Sequence, residues 1–197
     1  MILFNLLLQN RKKQQVEMEV KVTRLTDWKL VVDEARRTAW KDSLGHEPSR
    51  DFKMKALMSR HSPIETLKFK ISFTGIPYWV SVHLVRHKIG ISHFVSSQRP
   101  DRSPSGASRH DLPQDALVNH DMVLNAQSII AISRKRLCMQ ASKETRETWK
   151  MAVEELKKIG EVELAAFCKP ECWWCGGCTE GKFGCGMMPQ KEMPQID

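Results

Sequence analysis

Two short stretches of the chain alternate between apolar and polar residues, and several longer ones repeat at helical spacing. Met18 to Thr23 reads Met-Glu-Val-Lys-Val-Thr, which puts Val20 and Val22 on one side and predicts a strand. Leu67 to Gly75 alternates more fully. Leu67, Phe69, Ile71 and Phe73 fall on one face and Lys68, Lys70 and Ser72 on the other, the pattern of a strand with one buried side. Between the two, Thr26-Asp27 reads as a helix start, and Trp28 to Lys41 carries Leu30, Val31, Ala35 and Ala39 at helical spacing. Asp51 to Arg60 predicts a short helix with Phe52, Met54, Leu57 and Met58, broken by Ser62-Pro63. Pro77 suits the first turn of a helix that runs to about Lys88. Ile89 to Asp111 is rich in Ser, Pro and Gly and predicts an irregular segment. Gln114 to Met139 and Ser142 to Ile159 predict two further helices, the second with strongly charged faces. No internal repeat is present.

Length and charge narrow the picture. With 197 residues, 41% hydrophobic and 27% charged, the chain fits one soluble domain plus a small appendage. No apolar run reaches the length of a bilayer span. The start, MILFNLLLQNRKK, is apolar and then basic, the reverse of a secretory signal. Residues 1–17 are therefore read as an extension, floppy or docked on a partner, with a membrane-surface role as the weaker alternative, and the expected location is cytoplasmic. The net charge of +8 favours anionic partners, but it is spread along the chain and the sequence has one Tyr. Small anionic ligands are favoured over a nucleic-acid groove, which would want aromatic stacking platforms.

The candidate chemistry centres on Arg86-His87-Lys88. His83, Arg86 and His87 stand at i, i+3 and i+4, so one helical face carries all three. A solvated helix end explains such a cluster equally well, because cations favour a helix C-terminus. The loop that follows adds Arg99, Arg102 and Arg109. Of six cysteines, five crowd the C-terminus as Cys168-x3-Cys172-x2-Cys175-x2-Cys178-x6-Cys185. Thiolates at this spacing suggest a structural zinc site, with an iron–sulfur cluster as the alternative and a metal-free tail as the bland one. Trp173 and Trp174 are expected to pack that tail against the main domain.

In order, the motifs resemble those of the flavin-dependent thymidylate synthases. Ser62-Pro63-Ile64-Glu65 precedes the Leu67 to Gly75 strand, and Arg86-His87-Lys88 stands where the family has Arg-His-Arg. Arg109-His110-Asp111-Leu112-Pro113, Asn125-Ala126-Gln127-Ser128, Arg136-Leu137 and Ala141-Ser142-Lys143-Glu144 follow with family spacing. Any one of these is weak, and their ordered combination over residues 18 to 158 carries the resemblance. It implies an α+β fold, an antiparallel sheet packed by helices, assembled as a homotetramer with active sites between subunits. It also implies FAD, with dUMP as substrate and methylenetetrahydrofolate and NADPH as co-substrates, for reductive methylation at C5 of the uracil ring without an enzyme nucleophile. The expected organisation is residues 1–17 as extension, 18–160 as the catalytic domain and 161–197 as the cysteine-rich tail.

The resemblance implies cofactor contacts for Ser62, Glu65, Arg86, His87, Lys88, Asn125 and Gln127. It implies nucleotide contacts for His83, Arg86, Arg109 and Arg136, and for Ser96 or Ser97 with Arg99, depending on a one-residue insertion. Asn125 and Arg136 stand three helical turns apart and would share a face. The chain departs from the family in several places. Lys88 replaces an Arg, His83 a Gln, Gln127 an Arg and Ala131 a polar flavin contact. The loop glutamate and tyrosine are absent, and Arg99 and Arg109 are closer than usual. These departures keep two alternatives open: a related one-carbon transfer to another pyrimidine nucleotide, and a non-catalytic nucleic-acid-binding or assembly protein on the same fold.

Overall fold

The computed structural model describes residues 18–103 and 105–192; the 1–17 extension lies outside them. Four strands form one antiparallel sheet in the order β1-β2-β4-β3, with β1 Glu19–Arg24, β2 Lys68–Pro77, β3 Ile91–Val95 and β4 Leu117–Asn125. Among the described residues seven α-helices accompany it: α1 Trp28–Arg37, α2 Arg50–Ser59, α3 Tyr78–Val85, α4 Ala126–Arg136, α5 Lys143–Lys158, α6 Val162–Phe167 and α7 Glu171–Cys175. The architecture is α+β, as expected.

Alternation decides which face of the sheet is buried. Val20, Val22, Phe69, Ile71, Phe73, Met122 and Leu124 point inward and are buried with Trp149 and Leu156 of α5. The outward face is polar, with Lys70 and Asp121 paired at 2.7 Å across β2 and β4. A side chain on the inner face of β3 or β4 is therefore delivered to the helices, which places the site described below.

Two expectations are corrected. Gln114 to Met139 is not one helix: β4 occupies Leu117–Asn125 and only Ala126–Arg136 is helical. Val118, His120, Met122 and Leu124 are buried at period two, and pairing with β2 on one side and β3 on the other satisfies this backbone better than a helix with a split apolar face. Asn125, read as mid-helix, is the N-cap, its Oδ1 accepting from the Ser128 N–H. The second correction is β3 itself, which forms inside the segment expected to be irregular because β4 offers it an edge.

Helix ends differ more modestly. The α1 backbone closes at Arg37, and the Lys41 N–H reaches back to the Arg36 carbonyl around Trp40, which takes the left-handed conformation usually given to glycine at φ 54°. The helix expected to run to Lys88 ends at Val85, with Arg86 as its C-cap.

The chain beyond α5 continues the main core. Glu161 is buried, accepts from the Trp28 indole at 3.0 Å and pairs with Arg24 at 2.8 Å. Leu164, Ala165, Phe167 and Cys168 join the same core.

Candidate active site

The helix α3 runs out of strand β2 through Pro77 and stops at Val85, leaving Arg86-His87-Lys88 to bend back toward β3. This bend faces α4 across a cleft of about 260 Å³, lined by Arg86, His87, Lys88, Ile89, Ile91, Ser128, Ala131 and Ile132. No carboxylate is among these lining residues.

Gly90 sets the closeness of the two walls. It holds φ +69°, and a Cβ there would lie 2.8 Å from both Asn125 Nδ2 and Ser128 Oγ. Ser128 in turn donates its hydroxyl to the Ile89 carbonyl at 2.8 Å, and Asn125 caps α4 through Ser128. The spacing Asn-x-x-Ser thus builds the N-terminus of α4 and ties the bend to it. Beside it, Gln127 Oε1 is buried with no hydrogen-bond donor among the described residues.

Next to His87, Arg136 is the organising cation. Its Nη2 donates to the His83 carbonyl at 2.6 Å and its Nε to His87 Nε2 at 2.9 Å. A guanidinium cannot accept, so His87 must accept at Nε2 and carry its proton on Nδ1. Burial, then the charges of Arg136 and His93, push His87 down to about 4. His87 is thus a neutral imidazole fixed as a donor at Nδ1. Arg136 itself is pushed down by burial and by Arg86. His83 is lowered by burial first, then by Arg136 and Arg86. Ser142 donates to Thr145 Oγ1, and His83 Nδ1 lies 3.0 Å from the same hydroxyl.

Arg86, His87 and Lys88 line the cleft, Arg136 is bonded to His83 and His87, and Asn125 is tied to the bend through Gly90 and Ser128; Gln127 follows in the first turn of α4. The structure does not bring the remaining expected residues to the cleft. Ser62 and Glu65 are exposed in a 3-10 turn, Ser62–Thr66, that packs beside α4. A separate apolar hollow of about 480 Å³ next to that turn is lined by Val31, Phe52, Met58, His61 and Ile64 among others. Ser96 accepts from the Asn119 N–H at 3.0 Å and extends the β3–β4 edge. Ser97 accepts from the Arg99 N–H, and Arg99 is held by both oxygens of Asp101, at 2.9 and 3.0 Å. Arg109 sits exposed in the 3-10 turn Arg109–Asp111.

The cysteine tail corrects another expectation. Among the described residues no three His, Cys, Asp or Glu side chains are grouped to hold a metal ion. Cys168 is turned into the core toward the Leu164 carbonyl, and burial pushes its thiol up to about 12. Cys175 donates to Glu171 at 3.1 Å, Cys178 is buried and Cys185 is exposed. Burial also raises the Cys172 thiol. Spacing alone suggested convergence, but the core takes the first cysteine and Glu171 engages the third. Trp173 and Trp174 both stack near Phe167 of the core, and Trp174 has Arg60 at 5.0 Å and Arg134 at 6.0 Å from its ring.

No family model and no curated protein matches the sequence. Solved structures do. Thymidylate synthase X of Helicobacter pylori, solved with FAD and dUMP, aligns with TM-score 0.61 at 17% identity, covering 77% of this chain and 99% of that one. The chain has the flavin-dependent thymidylate synthase fold. A UMP/dUMP methylase, PolB of Streptomyces cacaoi, bound with 5-Br dUMP, aligns with TM-score 0.60 at 16% identity, covering 77% of this chain and 94% of that one. A second Helicobacter pylori structure, a flavin-dependent thymidylate synthase complexed with FAD and dUMP, gives TM-score 0.59 at 17% identity over 76% of this chain and 99% of that one. Identities this low carry the fold and leave chemistry to the site.

What sequence reasoning missed lies around the bend: Ser128 as the tie to Ile89, and a buried line of Ser81, His120 and His93. The period-two burial of β4 was the available signal, since it turns His120 inward beside Met122.

Proposed function

We propose that this chain binds a flavin and a pyrimidine nucleotide and methylates the nucleotide at C5 of the uracil ring. The observation that carries the reading is Arg136. It is a partly buried cation whose partners are the His83 carbonyl and the His87 ring, with Arg86 beside it and no acid in the cleft lining. A desolvated, uncompensated guanidinium of this kind favours a phosphate or a ring carbonyl as its missing partner. The fold in which it sits holds FAD and dUMP in the Helicobacter pylori protein.

The residues present fit a flavin. Gln127 Oε1 is an orphaned acceptor suited to an N–H donor, and Gly90 lets backbone approach where any Cβ would collide. Asn125, Gln127, His87 and Lys88 would hold the cofactor, which supplies hydride chemistry when bound. His87 would donate from Nδ1 as a neutral group, so it polarises an acceptor without giving up a proton. His83 and Arg86 would orient the pyrimidine, and Arg136 its phosphate. Methylenetetrahydrofolate and NADPH complete the proposed reaction. A cleft of about 260 Å³ is smaller than FAD with a nucleotide, which agrees with a homotetramer whose sites lie between subunits. The proposed setting is the cytoplasm; among the described residues no helix is long and apolar enough to cross a membrane.

A second reading keeps the flavin chemistry and changes the nucleotide or the one-carbon product. Arg99 favours it: in this chain it is committed to Asp101, so the loop lacks one free cation for the substrate. An anaerobic assay with dUMP or UMP, methylenetetrahydrofolate and NADPH, with the product identified by mass, tests both. A methylated dUMP supports the first reading and a product on UMP alone supports the second. A protein that takes up no FAD and binds neither nucleotide overturns both.

A further inference from the structure

Behind the cleft, on the inner face of the sheet, a chain of hydrogen bonds remains that none of the ligand contacts above uses. His93 of β3 and His120 of β4 face each other, Nδ1 to Nε2, at 3.0 Å. Wholly buried, His120 reaches Ser81 Oγ of α3 through its Nδ1 at 3.1 Å. His93 Nε2 lies 2.6 Å from the carbonyl of His87.

That carbonyl fixes every proton in the line. It can only accept, so His93 carries a proton on Nε2. Neutral His93 then accepts at Nδ1, so His120 donates from Nε2. Neutral His120 accepts at Nδ1, so the Ser81 hydroxyl donates to it. One added proton can be accommodated with all three bonds kept: the bridge keeps its single hydrogen between Nδ1 and Nε2, the additional N–H is the one on His120 Nδ1, and Ser81 turns from donor to acceptor. A second added proton cannot, because both bridging nitrogens would then carry hydrogen.

One residue joins the cleft to this pair: Arg136 of α4 donates to the His87 ring, and the His87 carbonyl accepts from His93. Asp121 of β4 raises His120 and is itself paired with Lys70 of β2. Without an anion in the cleft, the uncompensated guanidinium opposes a further positive charge on the pair by Coulomb repulsion. An anion beside it removes that opposition. His87 cannot take the proton itself while it accepts from Arg136.

We propose that His93 and His120 form a one-proton store that fills when an anionic ligand binds beside Arg86 and Arg136, so that the cleft takes up a proton with its ligand. The store deepens the nucleotide reading and rests on it for the identity of the anion. Burial and the neighbouring His93 hold His120 down to about 4, against the opposing pull of Asp121. Binding and protonation then favour each other reciprocally.

The test is calorimetric titration of the full-length protein with dUMP near pH 6 in buffers of different ionisation enthalpy, alongside His93→Gln. Glutamine can donate to the His87 carbonyl and accept from His120, but cannot store a proton. The nucleotide phosphate titrates in this range too and cancels in the comparison. Wild type should take up as much as one proton more than His93→Gln, and its affinity should gain up to about tenfold per pH unit lowered relative to that variant. Equal uptake in the two proteins overturns the proposal, as does a deficit that appears in His83→Gln and not in His93→Gln. Histidine nitrogen NMR on the free protein keeps the store separable from the nucleotide reading. Failure of dUMP to bind sinks that reading. The store itself falls if His93 carries its proton on Nδ1 at neutral pH, or if the pair does not take up its first proton as a coupled step.

Discussion

The Nε of Arg136 donates to His87 Nε2 at 2.9 Å, joining the last turn of α4 to the bend after α3. This one bond sets the His87 tautomer; with Nη2 donating to the His83 carbonyl, Nη1 is left for a ligand. Arg136→Ala should therefore weaken nucleotide binding by roughly ten- to a hundredfold, the equivalent of about 1.5–3 kcal/mol for a hydrogen bond to a charged group. It should also raise the His87 titration toward the ordinary histidine range. Arg136→Lys keeps charge but not the fork, and should recover only part of the affinity. Calorimetry with dUMP and histidine NMR check both; unchanged affinity in Arg136→Ala would remove Arg136 from the site.

Gly90 is the position where backbone conformation and packing coincide. Replacing it with Ala meets two penalties: a left-handed φ of +69° and a Cβ 2.8 Å from the side chains of Asn125 and Ser128. The conformation alone costs about 1–2 kcal/mol, and the contact can be relieved only by disturbing the cap of α4. Gly90→Ala should lower the melting temperature and weaken flavin uptake together, read by thermal unfolding and flavin absorbance. A variant with wild-type stability and uptake would show that the bend is not held against α4.

These two residues show what was legible in the sequence. Arg136 and Asn125 were identifiable from ordered motifs, and strand β2 from its alternation, because each signal is local. The second half of the sheet was hidden. Leu117–Asn125 is strand-forming through its pairing with β2 and β3, a long-range condition that a helix-length apolar run conceals. Losing that strand concealed His120, and with it the reason for His93. Ser96, Ser97 and Arg99 were nameable but not placeable, since their local partners Asn119 and Asp101 satisfy them first. The cysteine spacing does not by itself say where each thiol goes: Phe167 and Cys168 already belong to the core.

Buried neutral histidines make stability depend on pH in a definite direction. His120 is wholly buried and held down to about 4, against about 6.5 for the unfolded chain. Between those values the unfolded state binds a proton that the native state refuses. Its contribution to stability is therefore complete above about pH 6.5 and lost as the pH falls toward 4. The loss from His120 alone approaches about 3 kcal/mol at 1.36 kcal/mol per pH unit. Partly buried His87, also held near 4, adds in the same direction. Urea midpoints measured from pH 7.5 to 4 should decline, and His120→Asn should decline less steeply. A midpoint that does not move across this window would contradict the burial of His120.

Glu171 fastens the start of the cysteine-rich segment. Both of its oxygens accept from Arg134, and the Arg134 and Arg60 guanidinium groups both lie near the Trp174 ring. The hydrogen bond from Arg134 holds the Glu171 carboxyl down to about 2. The attachment is thus an ion pair and cation–π contacts acting together on α7. Removing the carboxylate leaves a partly buried guanidinium without its acid, and removing the ring takes away the surface both arginines rest on. Glu171→Ala and Trp174→Ala should each expose the chain after Lys169 to limited proteolysis while leaving the product ending near α6 folded, and the double variant should add little because the two contacts share Arg134. Resistance to cleavage in all three proteins would show that the segment is held by something other than Arg134.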